Sequence, residues 1–169
     1  MVLLFADRKS REENEIAEIL KHYNTKHISD KEICWGSAFS VITLHKSVEI
    51  KAKKGIAVFC NDTERFKNQI LPQGFIGICE DNNKSALNIL KINNIPVISC
   101  GMNSKNTITL SSINSNTLVT GLQRTVFDLN YNEILPTELK IKLKENYKPF
   151  SVMVSVGILL LNGIIPDEF

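Results

Sequence analysis

The chain has 169 residues, 43% of them hydrophobic, and its 20 basic and 18 acidic side chains leave a formal charge of only +2. A chain of this length folds as one domain that buries roughly two-thirds of the surface its unfolded form exposes, with no need of a disulfide or a metal. The charges are interspersed rather than gathered into a basic block, which argues against nucleic acid as a partner.

The chain opens on a short apolar run, Val2 to Ala6, with no basic leader and no small-residue cleavage site, so it reads as a first strand and the protein as cytoplasmic. Asp7-Arg8-Lys9-Ser10 forms the turn that follows. Glu12 and Glu13 then suit the first turn of a helix whose buried face is Ile16, Ile19, Leu20 and Tyr23. Thr25 to Ile28 is a second strand. Residues 37–54 are read as helix, because Ala38, Val41, His45 and Val48 share one helical face and Lys51, Lys53, Lys54 and Gly55 resemble a cationic last turn with a glycine cap; Val41, Ile42 and Thr43 favour strand instead. Three strand-like runs follow, Ile56 to Cys60, Phe75 to Cys79 and Val97 to Cys100, separated by helical stretches near Thr63 to Asn68 and Lys84 to Asn93.

Beyond Gly101 the rhythm changes to Thr107 to Ile113, Thr117 to Leu129 and Leu139 to Leu143, an antiparallel meander joined by Asn-rich turns, and the chain closes with a helix from Phe150 to Leu161. The longest apolar run, Val152 to Leu161, is interrupted by Ser155 and Gly157 and is too short to span a bilayer. The expected architecture is therefore a single three-layer α/β domain over residues 1–169: a Rossmann-like, mainly parallel sheet built by residues 1–101, extended by antiparallel strands and a closing helix in residues 102–169.

In such a sheet ligands bind outside the carboxyl ends of the strands. That rule collects Asp7, Arg8, Ser10, Cys60, Asp62, Cys79, Asp81 and Cys100 on one rim as candidate ligand-binding residues. Ser10 at a helix N-terminus would help hold an anion. The competing reading is that the cysteines pack as small apolar residues and the acids cap helices. The four cysteines include no CxxC and no neighbouring histidine, and His22, His27 and His45 are remote in sequence from the rim thiols, so neither a metal site nor thiol catalysis has a signature. The tract from His27 to Ser37 concentrates the lone Trp35 with charges; it is either a functional loop or a connection in which Trp35 plugs the core edge and Ser37 caps a helix. Arg124 is read as lying within a strand. Phosphate-loop, dinucleotide, zinc-protease and esterase motifs are all missing, and no cofactor is implied.

Two segments carry a family resemblance. Gly77-Ile78-Cys79-Glu80-Asp81-Asn82-Asn83-Lys84-Ser85-Ala86-Leu87 and Ile95-Pro96-Val97-Ile98-Ser99-Cys100-Gly101, followed by a meander and the helix Phe150 to Gly163, resemble the latter part of the central, ATP-binding domain of Mur ligases. Of the family's motif only Asp81 carries over. Its asparagine and second aspartate correspond to Cys79 and Asn82, the asparagines of its final helix fall near Pro149 and Val152, and its phosphate loop has no counterpart. The resemblance implies a shared fold without ATP-dependent ligation. The chain also resembles small bacterial proteins of similar length with no established function. Three functions stay open: a non-catalytic binding or regulatory protein for a small anionic metabolite or a protein partner, a small transferase or hydrolase using the rim acids and thiols, and a homo-oligomeric scaffold paired through the meander's edge.

Overall fold

The computed structural model describes residues 1–61, 63–114 and 116–169. Among the described residues twelve strands are formed: β1 (Val2–Phe5), β2 (Lys26–Ile28), β3 (Ile33–Cys34), β4 (Ser40–Leu44), β5 (Gly55–Phe59), β6 (Phe75–Glu80), β7 (Val97–Gly101), β8 (Ile108–Ile113), β9 (Thr117–Leu122), β10 (Val126–Phe127), β11 (Glu133–Ile134) and β12 (Thr137–Lys142). Ten of them make one sheet in the order β12-β9-β8-β7-β6-β5-β1-β4-β2-β3, while β10 and β11 pair separately as a small hairpin. The strands from β2 to β8 in that order run parallel, β9 and β12 add antiparallel strands at one edge, and β3 does so at the other. β1 and β5 are buried at every residue, as unbroken apolar runs are when both faces of a parallel sheet are covered.

Three helices supply that cover. α1 (Arg11–Lys21) and α3 (Pro149–Leu161) lie on the face formed by Val2, Leu4, Ile56, Val58 and Ile78. α2 (Lys84–Ile92) and a single 3-10 turn, Glu64–Phe66, lie on the opposite face with Leu3, Phe5, Ala57 and Phe59. The fold is therefore three-layered. Phe5 stacks on Phe59 with ring centroids 4.8 Å apart and meets Phe66 edge-on at 5.2 Å. α3 begins with Pro149, whose missing N–H costs nothing at a helix start, and every residue from Phe150 to Leu161 is buried. Gly157 allows its close approach to the sheet, since a Cβ there would stand 2.9 Å from Ile108 Cδ1. Among the described residues no helix is long and apolar enough to cross a membrane.

The structure departs from the sequence reading in residues 37–54. There is no helix: Ser40–Leu44 is a strand inserted between β1 and β2, with Val41 and Thr43 buried and Ile42 and Leu44 turned to the other face. The β-branched run outweighs the helical spacing, and Gly55, expected as a helix cap, opens β5. The connection from 45 to 54 is fixed by Gln69, whose side chain accepts from Val48 N at 3.0 Å and donates to Val48 O at 2.8 Å, imitating a strand partner. Residues 123–125 interrupt the strand expected from Thr117 to Leu129, so Arg124 lies in a loop. β8 opens the antiparallel meander as expected, pairing with β9, and on its other side it joins the parallel sheet through β7. Trp35 does not plug the core; it is 78% exposed, with the Lys26 ammonium 4.3 Å above its ring. Ser37 caps no helix and accepts a hydrogen bond from Asn24 Nδ2 at 2.8 Å.

Candidate functional site

The loops leaving β1 and β5 diverge to opposite faces, α1 on one side and the 3-10 turn on the other, which opens a crevice at the carboxyl ends of these two strands. Ser10 caps α1 by accepting from Glu13 N at 3.2 Å, and its hydroxyl donates to Glu12 Oε2 at 3.2 Å. Glu12 is thereby drawn over the start of its own helix, where the dipole favours a negative charge. Its carboxylate is met by Lys148 Nζ and by Asn61 Nδ2. Asn61 stands at the end of β5 with φ of 44°, in the left-handed region that asparagine tolerates. Lys148 precedes α3, and its backbone N–H donates to Glu15 Oε2 at 3.0 Å. Glu15 also receives Ser151 Oγ at 2.7 Å and Arg11 Nε at 2.6 Å, so α1 and α3 are joined by a chain of acids with complete partners.

Toward β6 and β7 the crevice widens into a cleft of about 570 Å³, with Glu12, Asn61, Glu80, Asp81 and Lys148 among its polar groups and Met102, Phe150 and Met153 among its apolar ones. Asp81 accepts from Asn106 Nδ2 at 2.7 Å while its N–H donates to Cys100 O. Gly101 is required beside this pair, because a Cβ there would be 2.8 Å from the Asp81 carboxylate. The carboxyls differ electrostatically. Burial works against ionisation of Glu12, but the hydrogen bonds from Lys148 and Asn61 outweigh it and hold its pKa below the ordinary value. Burial, with Asp81 and Glu12 close by, pushes Glu80 up against the opposing pull of Lys148.

The sequence-derived candidates divide into separate groups. Asp7 pairs with Arg65 and accepts from Lys9 N at 3.1 Å. Arg8 turns outward to Asp30 at 3.4 Å. Ser10 and Asp81 border the crevice, and Asp62 lies outside the described residues. The three thiols do not line the rim. Cys60 and Cys100 point into the core beneath α1 and α3, Cys79 points into the core on the other face, and all are fully buried. Burial pushes every one of these thiols up, Cys79 to about 12, so none is a ready thiolate. Among the described residues no group of three or more His, Cys, Asp and Glu side chains is placed to hold a metal ion.

Sequence reasoning missed Glu12, Asn61, Glu80 and Lys148 as rim groups. Glu12 was visible as a first-turn acid, but nothing local links it to a lysine 136 positions away. A second polar cluster also escaped it. His45 joins the carbonyl of Ala6 to Asp30 at 3.1 Å each and stands 4.0 Å from Glu13, whose pKa burial pushes up.

No family model and no curated protein matches this chain. Its fold, however, is that of the Mur ligases: it is similar to a murein peptide ligase Mpl from Psychrobacter arcticus, with a TM-score of 0.60 at 9% identity over 96% of this chain and 44% of that one. It is likewise similar to the UDP-N-acetylmuramate:L-alanyl-gamma-D-glutamyl-meso-diaminopimelate ligase from Neisseria meningitides, with a TM-score of 0.58 at 9% identity over 97% of this chain and 61% of that one. The chain thus spans about half the length of these enzymes.

Proposed function

We propose that this chain is a non-catalytic, cytoplasmic binding or regulatory domain that keeps a Mur-ligase-like fold without the ligase's use of ATP. The observation that carries this reading is the occupant of the first strand-to-helix turn. Phosphates bind at such helix N-termini through free N–H groups and the helix dipole. Here Ser10 and the Glu12 carboxylate already fill that place, and the carboxylate holds Lys148 in an ion pair and accepts a hydrogen bond from Asn61. A triphosphate would meet a negative charge where it needs donors.

The same arrangement disfavours an enzyme working through rim acids and thiols. Asp7 and Asp81 are already paired, and the thiols are buried and protonated. The cleft instead offers one ammonium, Lys148, which an acidic ligand group would draw from Glu12, opposite the carboxyls of Glu80 and Asp81 and above an apolar floor of Phe150 and Met153. That set suits a small metabolite with an acidic group for Lys148 and an amine or amide for Glu80, such as an amino acid or a short peptide. The ligases of similar fold are named for peptide substrates, which agrees with this choice.

The test is calorimetric titration with Mg-ATP on one side and muramyl-type peptides and free amino acids on the other. Binding of a peptide or amino acid that is lost in Glu80→Gln and Lys148→Met, with no response to Mg-ATP, is the expected result. Saturable Mg-ATP binding or ATP turnover by the purified protein overturns the proposal.

A further inference from the structure

We infer a second ligand site at the opposite, amino ends of the strands, one that takes a small amphiphile with a compact apolar body and an anionic head. It is independent of the rim reading above. Its origin is a stagger in the sheet. β8 meets β7 only at Cys100 and Gly101, so the first half of β7 has no strand beside it on that flank. The hairpin of β10 and β11 hangs over this notch instead. Between them lies a cavity of about 350 Å³, walled by Val97, Ile98 and Ile76 of the sheet and by Val126, Phe127 and Leu129 of the hairpin.

This volume is at the small-molecule end of the range for ligand pockets, about 300 to 1,000 Å³, and leaves no room for a docked helix. The hairpin is held in place rather than loosely draped. Asp128 accepts from Asn130 N at 2.6 Å, Asn132 N at 2.9 Å and Asn132 Nδ2 at 2.8 Å, and Lys54 Nζ ties the loop down at Leu129 O and Asn130 Oδ1. Phe127 and Tyr131 nevertheless stand 51% and 84% exposed at the mouth.

The polar groups decide the ligand's head. Asp128 turns its carboxylate onto its own loop while still attracting Lys54, and the Lys54 ammonium, with three donors and two of them used on the loop, keeps one donor for a ligand at the cavity. A backbone donor points the same way. Ser99 O faces the β8 side, where it accepts from Thr107 N, and by strand alternation Val97 two residues earlier turns its N–H into the notch. An apolar cavity with a cation and a backbone donor calls for an anionic acceptor on an aryl or alkyl body.

The probe pair is 1-anilinonaphthalene-8-sulfonate and its uncharged counterpart N-phenyl-1-naphthylamine, titrated by fluorescence and competed with decanoate. The expected result is saturable binding of both dyes to the folded protein, displacement by decanoate, and affinity lowered by roughly tenfold or more in Val97→Glu, which places a carboxylate in the apolar wall. Phe127→Asp repeats that test at a half-exposed residue should Val97→Glu fail to fold. Lys54→Gln, which removes the charge but keeps an N–H donor for the hairpin loop, is expected to weaken the sulfonate several-fold and leave the neutral dye unchanged. No saturable binding, equal binding in the wall variants, or equal loss of both dyes in Lys54→Gln overturns the inference. So does a dimer in sedimentation that Val97→Glu dissociates, since the notch would then be covered by a second copy.

Discussion

At the carboxyl ends of the strands Ser10, Glu12, Asn61 and Lys148 satisfy one another, whereas at the amino ends Val97, Ile98 and Phe127 form walls that offer no side-chain hydrogen bond. The two ends belong to the same parallel strands, so the contrast does not come from the sheet. It comes from what the connections bring. At the carboxyl end the connections after β1 and β6 begin helices, which the side chains of Ser10 and Asn83 cap. At the amino end the chain arrives from loops, and the gap beside β7 is overhung by the apolar side chains of a hairpin, with a cavity left between them. The polar end therefore binds by displacing internal partners, and the apolar end by displacing water.

Breaking the apolar end is expected to have the largest effect on stability. Phe75 is 1% exposed and is one of the residues lining the amino-end cavity. Phe75→Ala is expected to cost about 3 to 5 kcal/mol in urea denaturation while enlarging that cavity, so that dye binding persists in the weakened protein. The polar end ranks second. Glu12→Ala leaves Lys148 and Asn61 without their acceptor at the cost of about 1 to 3 kcal/mol. Because the Glu12 pKa is lowered by folding, its contribution is present above the unfolded value and is lost as pH falls through the lower, folded one. Wild type and variant should thus converge in acid.

Much of this contrast could be read in the sequence, and the parts that could not share one cause. β1, β5, β6 and β7 were legible because unbroken apolar runs between turn residues have few other uses. The acidic first turn of α1, the face of α2 and the closing α3 were legible as local patterns. β4 was not, because against its strand-favouring Val-Ile-Thr run Ala38, Val41, His45 and Val48 fit one helical face, and only pairing with both β1 and β2 decides between them. The rim was half legible. Strand ends pointed to Asp81 and Ser10, but an unbroken apolar run conceals which way each residue faces, so the burial of Cys60 and Cys100 on one side and Cys79 on the other was hidden. The pairing of Glu12 with Lys148 exists only once α1 and α3 are packed together.

Glu80 sharpens the comparison in the opposite sense to Glu12. Its pKa is raised by burial and by its acidic neighbours, so the stability it lends is present below the ordinary value of 4.5 and lost as pH rises through the higher, folded one. Glu80→Gln is expected to raise the melting temperature at neutral pH, with the gain vanishing in acid; a melting series across pH checks both limbs.

The smallest effect belongs to Arg8. Its ion pair with Asp30 is 3.4 Å long, and the two side chains are 73% and 42% exposed, so water screens the attraction and side-chain freedom offsets what remains. Arg8→Ala is expected to change stability by less than about 0.5 kcal/mol. Asp30 keeps its contact with His45, so the Ala6–His45–Asp30 chain should survive the substitution. A larger loss in urea would mean that the loop carrying Asp30 is held by Arg8 rather than by His45, and that the polar end of the molecule extends further from the crevice than Glu12 and Lys148 define it.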